Sequence, residues 1–152
     1  MNIVKPLKSS SSLLSPKKSS PLWINMLPAM LLSILIGTYL DLYFVGKGFY
    51  TFPVRPWPEV FSINIAFTLF GLPLVAGCFL VICSKLTKWN KGIFIVVLGL
   101  LAGIFEKMAE EWGLFLHHEV WRHYYSILGY SLFFSIIYTV NYFINKRIKT
   151  RA

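Results

Sequence analysis

Glu106 and Glu110 stand one helical turn apart at the end of an apolar stretch too short to cross a bilayer without them. From Gly92 to Phe105 there are 14 residues without a charge, and a bilayer core of about 30 Å takes roughly 20 helical residues. A spanning helix must therefore run on to about Glu111 and carry both carboxylates with it. Ionisable groups in such a position are costly and face a bundle interior or a wet cavity, where they serve protons, ions or a charged partner. At about 100° per residue, Gly99, Gly103, Glu106, Glu110, Gly113 and His117 fall within one stripe. A third carboxylate, Asp41, ends the first apolar stretch, roughly 28 Å along the helix from Leu22 at 1.5 Å per residue. Arg55, Asn64, Thr68 and Tyr124 are expected at comparable depth. Asp41, Arg55, Glu106, Glu110, Asn64, Thr68 and Tyr124 together form a candidate polar pocket or ion site. The plainer reading of Asp41 and Glu110 is that they are interfacial and hydrated.

His117, His118 and His123 are metal-ligand types, and Glu119 and His123 share the i, i+4 spacing. Adjacent His117 and His118 cannot both join that face, and neither HExxH nor CxxC occurs. The three are weak metal candidates and fit an interfacial anchor better. There is no Gly-rich phosphate loop, serine nucleophile motif or dinucleotide fingerprint. No catalytic residue, metal or cofactor is expected. Cys78 and Cys83 lie on one helix with side chains about 140° apart and are not expected to pair.

The elements that hold these residues are legible as blocks. Of 152 residues, 56% are hydrophobic and 14% charged. The apolar residues come as four uninterrupted stretches, about 22–44, 60–83, 92–115 and 124–144, which predicts an all-α integral membrane four-helix bundle. A β-barrel would alternate over strands of about ten residues. The net charge of +9 has a sidedness that argues against nucleic acid. Lys5, Lys8, Lys17, Lys18, Lys85, Lys88, Lys91, Lys146, Arg147, Lys149 and Arg151 fall on one side, against Lys47, Arg55, Lys107 and Arg122 on the other. The positive-inside rule then puts both termini in the cytoplasm. Trp23 and Trp89 mark inner boundaries, and Trp57, Trp112 and Trp121 outer ones. Residues 1–21 read as a disordered basic cytoplasmic tail, and 146–152 as a second basic tail. The short connection from Ser84 to Lys91 makes spans two and three antiparallel neighbours. No internal repeat is evident.

Each span carries a small or polar stripe suited to helix packing, which includes Gly37, Gly71, the Gly99-x-x-x-Gly103 pair, Ser131 and Ser135. Hydroxyls on such stripes are expected to bond across the contact, and the glycine pair is a weak signal for a homodimer. Pro73, read as lying mid-span, is expected to kink span two and free carbonyls near Leu69.

Asp41-Leu42, Tyr50-x-Phe52-Pro53-x-Arg55-x-x-Pro58, Pro73, Glu106 and Trp121-x-x-x-Tyr125-Ser126 resemble an uncharacterised family of small multi-pass membrane proteins of Bacillus and Clostridium relatives. The resemblance spans roughly residues 25–145. It implies a bacterial plasma membrane but no reaction, and it directs attention to Asp41, Arg55, Glu106, Trp121 and Ser126. Arg55 is a candidate partner for Asp41 or Glu106 across the outer mouth.

The expected function is non-enzymatic, an envelope assembly or sensing component that associates with itself or another membrane protein in the lipid bilayer. The alternative is a small cation or proton transporter or channel that uses the outer-half carboxylates.

Overall fold

A computed structural model describes residues 22–119 and 121–151; the serine-rich segment 1–21 lies outside them. Four helices dominate: α1 (Leu22–Gly46), α2 (Leu72–Lys85), α3 (Lys88–Glu111) and α4 (His123–Arg151). Each is part of a segment long and apolar enough to cross a membrane, with mean hydropathy from 1.6 to 2.2. Most of those residues face outward, Phe70 at 76% and Leu35 at 66% exposure among them. Apolar surface on that scale needs an apolar surround, which is the pattern of a multi-pass membrane protein.

The core lies between α1, α2 and α4. Met26, Ala29, Ala76, Phe79, Leu80, Phe134 and Ile137 are buried there, and α3 adds Phe94, Ile95 and Leu98 at its edge. Phe79 packs on Phe134 at 4.9 Å and stacks on Phe94 at 5.9 Å. The small-residue stripes point inward. Ala29 and Ser33 are fully buried, and Gly37 lies against Leu72 of α2. Gly99 and Gly103 receive Ser131 and Ile127 of α4. The glycine pair is thus used inside one chain. Gly71 differs from expectation, because its close neighbour is Phe67 of its own turn. The hydroxyls differ too. Ser33, Thr68 and Ser135 donate to carbonyls of their own segments, at Met30, Ile65 and Ser131. That local bond is available without a partner helix.

One boundary differs from the sequence expectation. Span two begins later than its apolar run, because Asn64 caps it by accepting the Phe67 N–H at 3.2 Å. A π turn, Phe67–Gly71, then precedes α2, with the Leu72 N–H bonded to the Phe67 carbonyl. Pro73 stands in the first turn of α2, where its ring would collide with the Leu69 carbonyl of a regular helix. The wider turn accommodates it. The basic segment after residue 145 is helical, because α4 continues through it to Arg151. Lysine and arginine are good helix formers and suit a helix C-terminus. α2 and α3 follow each other closely in sequence and touch through Phe79 and Phe94, while the Gly99 and Gly103 face of α3 packs on α4.

α1 and α3 end alike. Each closes on a glycine with positive φ, 73° at Gly48 and 70° at Gly113. Gly48 N–H bonds the Val45 carbonyl and Phe49 N–H that of Phe44. Gly113 N–H bonds the Glu110 carbonyl and Leu114 N–H that of Ala109. This paired arrangement satisfies the orphan carbonyls of both helix ends. In both helices a carboxylate, Asp41 or Glu106, stands seven residues before the glycine. Two short strands follow, β1 (Tyr50–Thr51) and β2 (Leu116–His117), and pair antiparallel with Tyr50 opposite His117 and Thr51 opposite Leu116. The ladder thus joins two segments that leave their helices in the same way.

Candidate functional site

The β1–β2 ladder forms a cap over the ends of α1 and α3, and buried carboxylates tie it down. On the α1 side the Tyr50 hydroxyl donates to Asp41 Oδ1 at 2.7 Å. Burial, then the charge of Asp41 and the hydrogen bond to it, push the Tyr50 phenol well above its ordinary range. Tyr50 therefore stays protonated and remains a donor.

On the α3 side Glu106 is the hub. Its side chain is 8% exposed. Ser126 Oγ donates to Oε1 at 2.5 Å and His117 Nε2 lies 2.7 Å from the same oxygen, with Tyr130 of α4 close enough to feel its charge. Trp121 Nε1 donates to Ser126 Oγ at 3.0 Å, so a chain of donors runs from Trp121 through Ser126 to Glu106. Glu110, one turn further along α3, accepts the His117 backbone N–H at 3.2 Å. Its Oε2 lies 3.1 Å from His117 Nδ1. The imidazole thus sits between two carboxylates. Asp41 and Glu106 lie close enough to feel each other's charge.

Aromatic rings close the site. Trp121 packs on Phe44 at 5.2 Å, on Phe49 and Tyr50 at 5.8 Å, and stacks on His117 at 6.1 Å. Phe115 packs on Phe52 at 5.2 Å and on His117 at 4.5 Å. A carboxylate under such a lid acts in a low dielectric, where each hydrogen bond to it counts for more.

The structure brings Asp41, Glu106 and Glu110 to one end of the bundle. It places the other expected pocket residues elsewhere. Asn64 is the helix cap described above, and Thr68 is buried against its own turn. Tyr124 is 50% exposed and packs on Tyr125 at 4.2 Å. Arg55 makes no ion pair among the described residues. Its guanidinium instead donates to the carbonyls of Phe52 at 2.6 Å, Phe61 at 2.7 Å and Pro58 at 3.3 Å. A proline-rich loop has few N–H groups to satisfy its own carbonyls, and the planar fork of arginine supplies them. The staple also holds Trp57 at a φ of 48°, a conformation disfavoured for a bulky residue. Arg55→Lys should not restore the three contacts. We expect limited proteolysis to cut between Thr51 and Asn64 at least about tenfold faster in Arg55→Lys, as for loss of about 1.4 kcal/mol of local stability. Unchanged cleavage would show that the staple does not order the loop.

His117 proves to be a carboxylate partner. His118 is exposed and takes part in the cap through its backbone N–H, bonded to the Phe49 carbonyl at 2.9 Å. His123 opens α4. No group of three or more His, Cys, Asp or Glu side chains suited to a metal occurs among the described residues. Ser126 is not set up as a nucleophile, since it donates to a carboxylate and not to an imidazole. Tyr50, Trp121, Ser126 and Tyr130 complete the site, of which only Trp121 and Ser126 were singled out by the family resemblance. No known family, curated protein or solved structure matches the chain.

Proposed function

We propose that the chain is a four-span integral membrane protein with both termini in the cytoplasm, and that it is a non-enzymatic sensing component of a bacterial plasma membrane. The cap then faces outward, and a disturbance of the cap is the signal it passes on. One observation carries this reading: Glu106 is a single buried carboxylate on which Ser126 of α4 and His117 of the cap converge. Displacing either donor from the shared oxygen loosens the cap, and α3, α4 and β2 feel the change together.

The test is amide exchange in nanodiscs. Glu106→Gln removes the charged acceptor while keeping the side chain's shape, and it should speed exchange at the cap amides of His117 and His118 and at the α4 amides around Ser126 together. Faster exchange at the cap alone, or at neither place, would overturn the reading. The neighbouring charges of Asp41 and Glu106 favour a second reading, proton or cation transport. Flux in liposomes that exceeds empty liposomes and vanishes in Glu106→Gln would establish it in place of sensing.

A further inference from the structure

α2 and α3 meet through Phe79 and Phe94. Beside that contact an open apolar groove between the two helices is lined by Ile82, Leu86, Asn90, Ile93, Phe94 and Val97. It continues across the α3 face along Trp89, Gly92 and Val96. Apart from Asn90, the lining offers only carbon and the indole of Trp89.

The mouth of the groove is charged. Lys85 ends α2 and Lys88 begins α3. Both are exposed, and neither has an acidic partner among the described residues. All six acids of the chain stand in or near the opposite end, at Asp41, Glu59, Glu106, Glu110, Glu111 and Glu119. Lys91 is engaged differently, since its ammonium bonds the Tyr138 hydroxyl at 3.3 Å and sits over that ring. An occupant that complements this groove has a long apolar body and an anionic end at the level of Lys85 and Lys88.

We propose that the seam between α2 and α3 holds an anionic phospholipid, with an acyl chain along Ile82, Ile93 and Val97 and its phosphate on Lys85 and Lys88. The lipid fills the groove beside the Phe79–Phe94 contact. Dispersion contacts along the chain and charge attraction at the headgroup act together. The proposal rests on the membrane reading above, and the two fail separately. A protein that never enters nanodiscs defeats the membrane reading. A protein that inserts without lipid preference defeats only this one.

The experiment uses the full chain reconstituted in nanodiscs of equal parts phosphatidylglycerol and phosphatidylcholine, extracted in mild detergent and examined by native mass spectrometry. Phosphatidylglycerol should be retained over phosphatidylcholine. Lys85→Gln/Lys88→Gln should reduce its retention about tenfold, and Ile93→Trp, which fills the groove, should displace it. Lys146→Gln/Arg147→Gln removes the same charge further along α4 and should leave retention unchanged. Equal loss in that control, or equal retention of the two lipids, would overturn the proposal. So would disulfide capture of a second copy through a cysteine at Val97, which would assign the groove to dimerisation.

Discussion

Glu106→Ala should release the cap from the bundle while leaving the four helices in place. The substitution removes the acceptor shared by Ser126 and His117 and strands their polar groups under the aromatic lid. Leaving a buried polar group unsatisfied costs about 1–3 kcal/mol each, and breaking a buried charged contact costs about 3–5 kcal/mol. The expected loss of local stability is therefore on the order of 3–5 kcal/mol, at least about a hundredfold in exchange at about 1.4 kcal/mol per decade. The His118 N–H, bonded to the Phe49 carbonyl across the cap, is the amide to follow. Core amides of α2, around Phe79 and Leu80, should keep their protection. Asp41→Asn should be milder, because asparagine keeps an oxygen for the Tyr50 hydroxyl. If Glu106→Ala left the His118 amide protected, the hub would be an ornament of the fold and the sensing proposal would fall with it.

What the sequence disclosed and what it hid divide along a physical line. Glu106 and Asp41 stood out because charges in long apolar runs are expensive wherever the run folds. The four helices were legible for the same reason: block hydrophobicity needs no partner to be recognised. The partners of those charges were not legible. Tyr50 entered as one position of a family motif and His117 as a weak metal ligand. Their places depend on two turns that follow Gly48 and Gly113, and on a ladder of two residues per strand that has no propensity signal of its own. Arg55 was expected to seek a carboxylate across the mouth. It found carbonyls three to six residues away, a local solution that three prolines create by withdrawing N–H donors. The like helix ends at Gly48 and Gly113 escaped notice because they share only the spacing of carboxylate to glycine. α2 and α4 compete for α3, and which of them wins the Gly99 and Gly103 face was not legible: α4 takes it, and α2 meets Phe94.

That competition gives the second large effect. Gly99→Leu should separate α3 from α4 and lower the melting temperature in detergent. A side-chain carbon at Gly99 would meet Ser131 Oγ and, at 3.0 Å, the Ile127 carbonyl. The second obstacle is backbone and cannot rotate away. Overpacking a buried contact costs about 1–3 kcal/mol, and with backbone as the obstacle the upper end, about 3 kcal/mol, is expected here. Gly103→Ala is the comparison. It meets Ile127 Cγ1 at 2.8 Å, a side-chain atom that a rotamer change moves, so its cost should stay below about 1 kcal/mol. Ser131→Gly should rescue Gly99→Ala only in part, since the carbonyl remains. The same face joins this contact to the site. Ile127 and Ser131 follow Ser126 on α4, and Glu106 lies two turns beyond Gly99 on α3. A shift of α3 large enough to admit leucine therefore draws Glu106 from Ser126. Gly99→Leu should raise exchange at His118 toward the level of Glu106→Ala, although residue 99 touches neither the cap nor a charge. If it melts the helices apart yet leaves the cap amides protected, the cap is held by α1 and Asp41 alone, and the transmission of cap movement through α3 would have to be abandoned.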